Sequence, residues 1–259
     1  MEIWQAILLG FVQGFTEFLP VSSSGHLILI QNWFGVEQTV FYSVMLHIGT
    51  LIPVFIVFYK DILGLFKKPY NKLFCLILAP IPAGLVGLIL NLTVDLDLLF
   101  SKNLYLLSIA FIITAIALFL AERKGKSNSL LNPINSKTAF IMGLGQCFGV
   151  LPGVSRSGSV LTGGIIAKVE KGQNASFTFL MSIPIIFAAV FLEGASVIKD
   201  GLLGINLTVL LFGIISSGVS GYIAIKGMLK VIKRANYKWF SAYLLFIAVV
   251  NLIVCFIVK

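Results

Sequence analysis

The sequence predicts an all-α, polytopic membrane protein with six transmembrane helices and two re-entrant helix–loop–helix hairpins in an inverted-topology repeat. Three observations support this fold class. First, 58% of the 259 residues are hydrophobic and only 11% are charged, whereas about a quarter of a soluble domain is charged. Second, apolar runs of membrane-spanning length fill most of the chain. Third, two serine-rich segments of similar sequence interrupt the apolar pattern at equivalent places.

Six apolar runs are long enough to cross a bilayer as helices, each needing roughly 20 residues. No linker long enough to separate two domains lies between them, so residues 1–259 form a single membrane domain. The predicted spans are 41–59, 73–91, 103–121, 175–197, 205–225 and 239–258.

The net charge of +9 is distributed as expected of a membrane protein rather than a nucleic-acid-binding protein. Thirteen of the nineteen basic residues fall in three short stretches between spans, the pattern that the positive-inside rule gives to cytoplasmic loops. Nucleic acid is therefore excluded as a partner, and anionic membrane lipid is expected beside these loops. The stretches are Lys60, Lys67, Lys68 and Lys72; Arg123, Lys124, Lys126 and Lys137; and Lys226, Lys230, Lys233, Arg234 and Lys238.

The two serine-rich segments are copies of one motif. Six residues of the first recur in the second at an offset of 133, and only the Leu-Pro pair slips by one position. The spans follow at similar offsets, which gives one repeat of about 1–121 and a second of about 138–258. The matching pairs are Gln13 and Gln146, Phe15 and Phe148, Val21 and Val154, Ser22 and Ser155, Ser24 and Ser157, and Gly25 and Gly158.

Each repeat contains one broken segment and three spans, and the odd number inverts the second repeat relative to the first. The broken segments, 1–30 and 138–168, carry Pro, Ser and Gly in their middles. Loop backbone of this kind is tolerated at membrane depth only inside protein. We therefore predict two hairpins that enter from opposite sides and meet near the middle of the membrane. The alternative is that each segment is a single kinked span.

The two loops also carry the ionisable residues that are costly inside a membrane. Gln13 and Glu17 share a helix face, and Glu17 could orient His26 for proton transfer. Arg156 could hold two phosphate oxygens, although an Arg–Glu or His–Glu pair could also be structural. His47 is expected to pack or form a hydrogen bond rather than take part in catalysis. Gln13 is a candidate substrate-binding residue. The serines and glycines of the turns suit anion binding at helix N-termini and are also candidate substrate-binding residues; they are Ser22, Ser24, Gly25, Ser155, Ser157 and Gly158.

At these loops the sequence resembles the undecaprenyl-pyrophosphate phosphatase family, also called bacitracin-resistance proteins. The resemblance covers the whole chain and is strongest at residues 13–27 and 152–158. It implies a multi-pass enzyme of the bacterial cytoplasmic membrane that converts undecaprenyl pyrophosphate to the monophosphate carrier of cell-wall synthesis. It further implies a homodimer and a divalent cation, Mg²⁺ or Ca²⁺. The family's catalytic Glu, Ser, His and Arg fall on Glu17, Ser23, His26 and Arg156.

The family's first motif carries Glu or Gln and then Glu four residues later; here the first is Gln13, so a second carboxylate is absent from this helix. Glu17 is then the one candidate metal ligand in this helix. The nucleophile is either Ser23, activated by His26, or a water molecule held by Glu17 and His26. The alternative function is a transporter or flippase of a polyprenyl phosphate, because inverted repeats are typical of carriers.

Overall fold

The computed structural model describes residues 1–36, 40–126, 131–200, 206–234 and 236–257. Within these ranges the chain is helical, and its β-structure is a single bridge between Asn132 and Val169. The helices are α1 (Ile3–Phe18), α2 (Ser23–Phe34), α3 (Val40–Val57), α4 (Tyr59–Leu65), α5 (Asn71–Leu78), α6 (Ile81–Thr93), α7 (Leu96–Lys102), α8 (Tyr105–Gly125), α9 (Ser136–Phe148), α10 (Arg156–Ile166), α11 (Lys171–Leu180), α12 (Ser182–Asp200), α13 (Leu207–Arg234) and α14 (Lys238–Ile257).

Five helical stretches in the described residues are long and apolar enough to cross a membrane. A sixth is formed if α3 and α4, which are bent by 83° at their junction, count as one span. The prediction of an all-α, multi-pass protein is therefore confirmed. The first residue of the predicted span 205–225 and the last of 239–258 lie outside the described residues. The five stretches are Asn71–Leu90, Tyr105–Gly125, Lys171–Phe191, Leu207–Arg234 and Lys238–Ile257.

Both serine-rich segments fold as two helices joined by a loop. Helix α1 ends at Phe18, two residues before Pro20, and α9 ends at Phe148, four residues before Pro152. Proline lacks a backbone N–H and disfavours helix in the residue before it, so each helix ends ahead of its proline. The paired helices pack against each other, α1 on α2 and α9 on α10. The chain therefore turns back at both loops.

Helix α1 packs along α13 through a seam of small residues. A Cβ atom added to Gly10 would collide with the backbone oxygen of Gly213, and one added to Gly14 would collide with that of Ser217. Small residues four apart let two helix backbones approach closely, which is a common means of helix association in membranes. The seam places the C-terminal end of α1, which carries Glu17, against α13 in the protein interior.

We predict that Gly14→Ala lowers the free energy of unfolding by about 2 kcal/mol, the usual cost of overpacking a tight contact. The added methyl group meets the α13 backbone, which cannot swing aside as a flexible side chain would. Thermal unfolding of the purified protein in detergent measures the loss. Gly84→Ala on α6 is the matched control, since a Cβ there meets nothing within 4 Å. Equal melting temperatures for the two variants would contradict the packing argument.

Candidate functional site

Two serine loops join the helices of the hairpins: residues 19–22 join α1 to α2, and residues 149–155 join α9 to α10. In each loop a serine caps the helix that follows. Ser22 precedes α2, and its hydroxyl oxygen accepts a hydrogen bond of 3.3 Å from the backbone N–H of Gly25. Ser155 precedes α10 and accepts an equivalent bond of 3.1 Å from Gly158. Such caps satisfy one of the free N–H groups at a helix N-terminus. The shared motif therefore produces the same capping hydrogen bond, although φ is 71° at Ser22 and -71° at Ser155.

The loops also lie against each other. The hydroxyl of Ser157 donates a hydrogen bond of 3.3 Å to the backbone carbonyl of Leu19 in the other loop. A Cβ added to Gly25 would stand 2.8 Å from the Cα of Gly153, and one added to Gly158 would stand 3.2 Å from the Cβ of Pro20. The structure thus brings the two repeats together at their serine loops.

Glu17 is buried at the centre of this contact. Its Oε2 atom accepts a short hydrogen bond of 2.6 Å from the hydroxyl of Ser23 and one of 3.1 Å from the amide of Gln13. The Nε2 atom of His47 lies 3.6 Å from Oε2, and the guanidinium of Arg156 lies 3.6 Å from Oε1. The Arg156 guanidinium, the His47 imidazole and two hydrogen-bond donors therefore surround the carboxylate.

Arg156 extends from the first turn of α10 into the same space. Its side chain is 28% exposed, and its Nη1 atom, which lies 3.6 Å from Oε1 of Glu17, makes no hydrogen bond among the described residues. A cavity of about 20 Å³ lies beside it, enough room for roughly one water molecule. Arg156 therefore has donor capacity left for an anionic ligand. The polar residues that line the cavity are Glu17, Gln146, Arg156, Ser157, Thr178 and Ser182.

His26 is not placed as the sequence suggested. We expected Glu17 to orient this imidazole, but neither ring nitrogen faces the carboxylate. Nδ1 lies 2.7 Å from the backbone carbonyl of Ser22, and Nε2 lies 2.7 Å from the hydroxyl of Tyr243 on α14. The pairing of Glu17 with His26 was therefore wrong. The hydroxyl of Ser23 correspondingly meets Glu17 rather than His26.

The histidine beside Glu17 is His47, for which we expected packing or a hydrogen bond. It makes the hydrogen bond, since Nδ1 lies 2.8 Å from the backbone carbonyl of Ser43, and it also turns Nε2 toward Glu17. The spacing to a following proline is the same in the two repeats and gave a signal for this position. His47 stands six residues before Pro53, and Thr178, which lines the cavity from the other repeat, stands six residues before Pro184.

The sequence motifs do not mark every residue of the site. The repeat indicates Gln146 only as the counterpart of Gln13, yet both side chains are buried and each has an amide oxygen without a partner among the described residues. Ser182 and Tyr243 stand in apolar spans without a surrounding motif, so nothing local marked them. Of the remaining predicted residues, Ser24 is exposed and lies 3.3 Å from the hydroxyl of Ser22.

The implied divalent cation can be compared with the oxygen atoms present. No group of three or more His, Cys, Asp or Glu side chains occurs within the described ranges. Glu17 and the unpaired amide oxygen of Gln13 are hard ligands on one helix face. Mg²⁺ is commonly held by one or two carboxylates together with substrate phosphates and water. The described residues therefore fit a cation whose other ligands are substrate phosphates and water. They do not fit a cation whose ligands are all protein side chains.

Comparison with known proteins gives a match over nearly the whole chain. Residues 6–250 match the family described as bacitracin resistance protein BacA. The undecaprenyl-diphosphatase of Carboxydothermus hydrogenoformans is 38% identical over 257 residues, covering 98% of this chain and 97% of the relative. That of Methanobrevibacter smithii is 37% identical over 266 residues, with 94% of each chain covered. That of Treponema denticola is 38% identical over 262 residues, covering 95% and 94%.

Proposed function

The chain belongs to the family of bacitracin resistance protein BacA, and we propose that it hydrolyses undecaprenyl pyrophosphate to undecaprenyl phosphate and inorganic phosphate. The observation that carries the proposal is the 2.6 Å hydrogen bond from Ser23 to Glu17, with Arg156 against the same carboxylate. Phosphoryl transfer to serine needs a nucleophilic hydroxyl, a base that takes its proton and a positive charge that stabilises the phosphate, and Ser23, Glu17 and Arg156 can supply these. The product would be the lipid carrier reused in cell-wall synthesis at the bacterial cytoplasmic membrane.

The proposed reaction begins with Ser23. Its oxygen attacks the terminal phosphorus while its proton passes to Oε2 of Glu17. The bond between that phosphorus and the bridging oxygen breaks, and undecaprenyl phosphate leaves with the electron pair. Water then attacks the phosphoserine, the serine oxygen leaves and regains a proton, and inorganic phosphate is released. Glu17 serves as general base in the first half of the reaction.

Arg156 and the two helix N-termini would hold the pyrophosphate. The guanidinium can contact two phosphate oxygens at once, and the first turns of α2 and α10 favour negative charge. Ser22, Ser24, Gly25, Ser155, Ser157 and Gly158 form these turns. A divalent cation held by Glu17 together with the substrate phosphates would neutralise phosphate charge when bound.

The topology is part of the same proposal. We infer that the hairpins α1–α2 and α9–α10 are re-entrant and that the repeats are inverted in the membrane. Serine caps with the same hydrogen-bond pattern, contact between the loops and basic clusters between the spans support this inference. Single cysteines introduced at Ser24 and Ser157 would test it. If the hairpins are re-entrant, a thiol reagent can reach their tips only through a cavity in the protein and not through the lipid. The homodimer and the contact with anionic lipid that the resemblance implies also remain proposals.

The decisive experiment is phosphate release from undecaprenyl pyrophosphate by the purified protein in detergent. Substrate turnover without a membrane identifies an enzyme, whereas a transporter would release no phosphate. The carrier alternative rests on the repeat alone, and the curated relatives are described as diphosphatases.

We predict that Arg156→Lys lowers kcat/KM about a hundredfold, because lysine keeps the charge but loses the two-pronged contact with phosphate. Steady-state kinetics of phosphate release measure the change. Arg123→Lys is the control, since Arg123 lies over the ring of Phe119 near the end of α8 and outside the site. Full activity of Arg156→Lys would argue against guanidinium recognition of the substrate.

A further inference from the structure

His26 is held on every side. Nδ1 lies 2.7 Å from the carbonyl oxygen of Ser22 and Nε2 lies 2.7 Å from the hydroxyl of Tyr243. The ring of Tyr243 stacks on the imidazole with 5.6 Å between centroids and 10° between planes, and Phe111 lies 5.3 Å away. This leaves neither nitrogen facing Glu17 or the cavity beside Arg156.

The hydrogen bonds determine which nitrogen carries the proton. A backbone carbonyl can only accept, so Nδ1 must donate its hydrogen to Ser22. In the neutral ring Nε2 is then an acceptor, and the hydroxyl of Tyr243 donates to it. Tyr243 therefore stabilises the tautomer that bonds to Ser22. A general base would need the free lone pair that Tyr243 here occupies.

The carbonyl that His26 holds belongs to an unusual residue. Ser22 has φ of 71° and ψ of 100°, a positive φ that residues other than glycine rarely adopt. Such conformations persist when surrounding contacts hold them in place. Ser22 caps α2, and the next residue is Ser23, whose hydroxyl reaches Glu17. The Ser22 carbonyl also accepts a hydrogen bond of 3.3 Å from the backbone N–H of His26, so the imidazole adds a second, shorter contact to the backbone that precedes the proposed nucleophile.

We propose that His26 and Tyr243 are positioning residues rather than proton carriers. Tyr243 holds the imidazole, and the imidazole holds the Ser22 backbone so that Ser23 meets Glu17. Through this contact α14, which lies more than 200 residues from the serine loop in sequence, helps to set the geometry of the first repeat. The inference rests on the proposed phosphatase activity, which supplies its readout.

Two substitutions of His26 separate positioning from proton transfer. In asparagine the amide nitrogen is bonded to Cγ, as Nδ1 is, so His26→Asn can still donate to the Ser22 carbonyl. In glutamine the amide lies one atom further out, in the place of Nε2. We expect His26→Asn to keep a kcat at least about tenfold above that of His26→Gln, with KM in both close to wild type. Equal and complete loss of kcat in both variants would overturn the proposal.

Tyr243→Phe tests the second half of the pair, because it keeps the stacked ring and removes only the hydroxyl. We expect a fall in kcat of about five- to tenfold and an unchanged KM. The same exchange in the His26→Asn background should have little further effect, because asparagine has no Nε2 for the hydroxyl to hold. Tyr105→Phe, at an exposed tyrosine at the start of α8, is the matched control. A kcat equal to wild type in Tyr243→Phe would show that the hydroxyl contributes nothing, and a higher kcat would show that it hinders His26; either result would overturn the proposal.

The pH dependence of kcat/KM provides a readout that loss of folding does not imitate. A proton carrier contributes one limb of the profile, so a positioning role predicts that His26→Asn keeps the wild-type shape at lower height. Loss of a limb would contradict positioning. A wild-type protein that releases no phosphate would instead refute the proposed function, so the two failures are distinguishable. Size-exclusion elution and melting temperature verify that each variant is folded.

Discussion

Replacement of Ser23 by alanine is expected to lower kcat for phosphate release by about a thousandfold or more, as expected on loss of a covalent nucleophile. KM should change little, because Arg156 and the helix N-termini still bind the pyrophosphate. The hydroxyl that is lost lies 2.6 Å from Glu17, the shortest contact of that carboxylate. Steady-state kinetics in detergent measure the effect, and Ser101→Ala on α7, outside the site, is the control.

A trapped intermediate gives the same prediction an independent measurement. If Ser23 is the nucleophile, rapid acid quench of the wild type should leave a phosphoserine at this position, and Ser23→Ala should leave none. Mass spectrometry of the peptide that contains Ser23 detects it. Normal turnover by Ser23→Ala would identify water as the nucleophile and leave Glu17 as the group that activates it.

Glu17→Gln is expected to reduce kcat about a thousandfold, within the usual range for loss of a general base. Glutamine has nearly the same size and can still accept a hydrogen bond from Ser23, but it cannot take up the proton. It also removes the negative charge that faces Arg156 and His47. The fold should survive, so the melting temperature and the change in kcat can be measured on the same sample.

Glu122→Gln is a demanding control for this prediction. Glu122 is also buried, but it pairs with Lys126 at 2.6 Å and accepts from the backbone of Lys238, outside the site. Loss of its charge should lower stability without a comparable loss of kcat. If both glutamine variants lose activity equally, the effect belongs to buried charge in general and not to Glu17 as a base.

Much of the site followed from local sequence. Serine is strongly preferred as the residue that caps a helix N-terminus, so the two caps could be predicted from residues 22–25 and 155–158. The spacing of Gln13 and Glu17 placed both on one helix face, and they do form a hydrogen bond. These features depend on neighbours within one or two helical turns.

The partners of the histidines could not be predicted in this way. His26 is nine residues from Glu17 and His47 is thirty, yet the distant residue faces the carboxylate. Helix α2 turns His26 toward α8 and α14, where Tyr243 and Phe111 enclose it. That outcome depends on how α2, α8 and α14 pack together, and the hydrophobic periodicity of a single helix does not predict its neighbours.

The sequence by itself determined that this protein is a helical membrane protein with two serine loops of one design, because hydrophobicity, helix capping and proline act locally. It also indicated candidate reactive groups at the loops, namely Glu17, Ser23 and Arg156. Only the tertiary structure decided which side chains these groups contact. Close packing at the Gly10 and Gly14 seam places α1 on α13, and the contact between loops brings Arg156 to Glu17. The packing of α14 turns His26 away from the carboxylate, and α3 supplies His47 in its place, since side-chain partners across helices are set by packing.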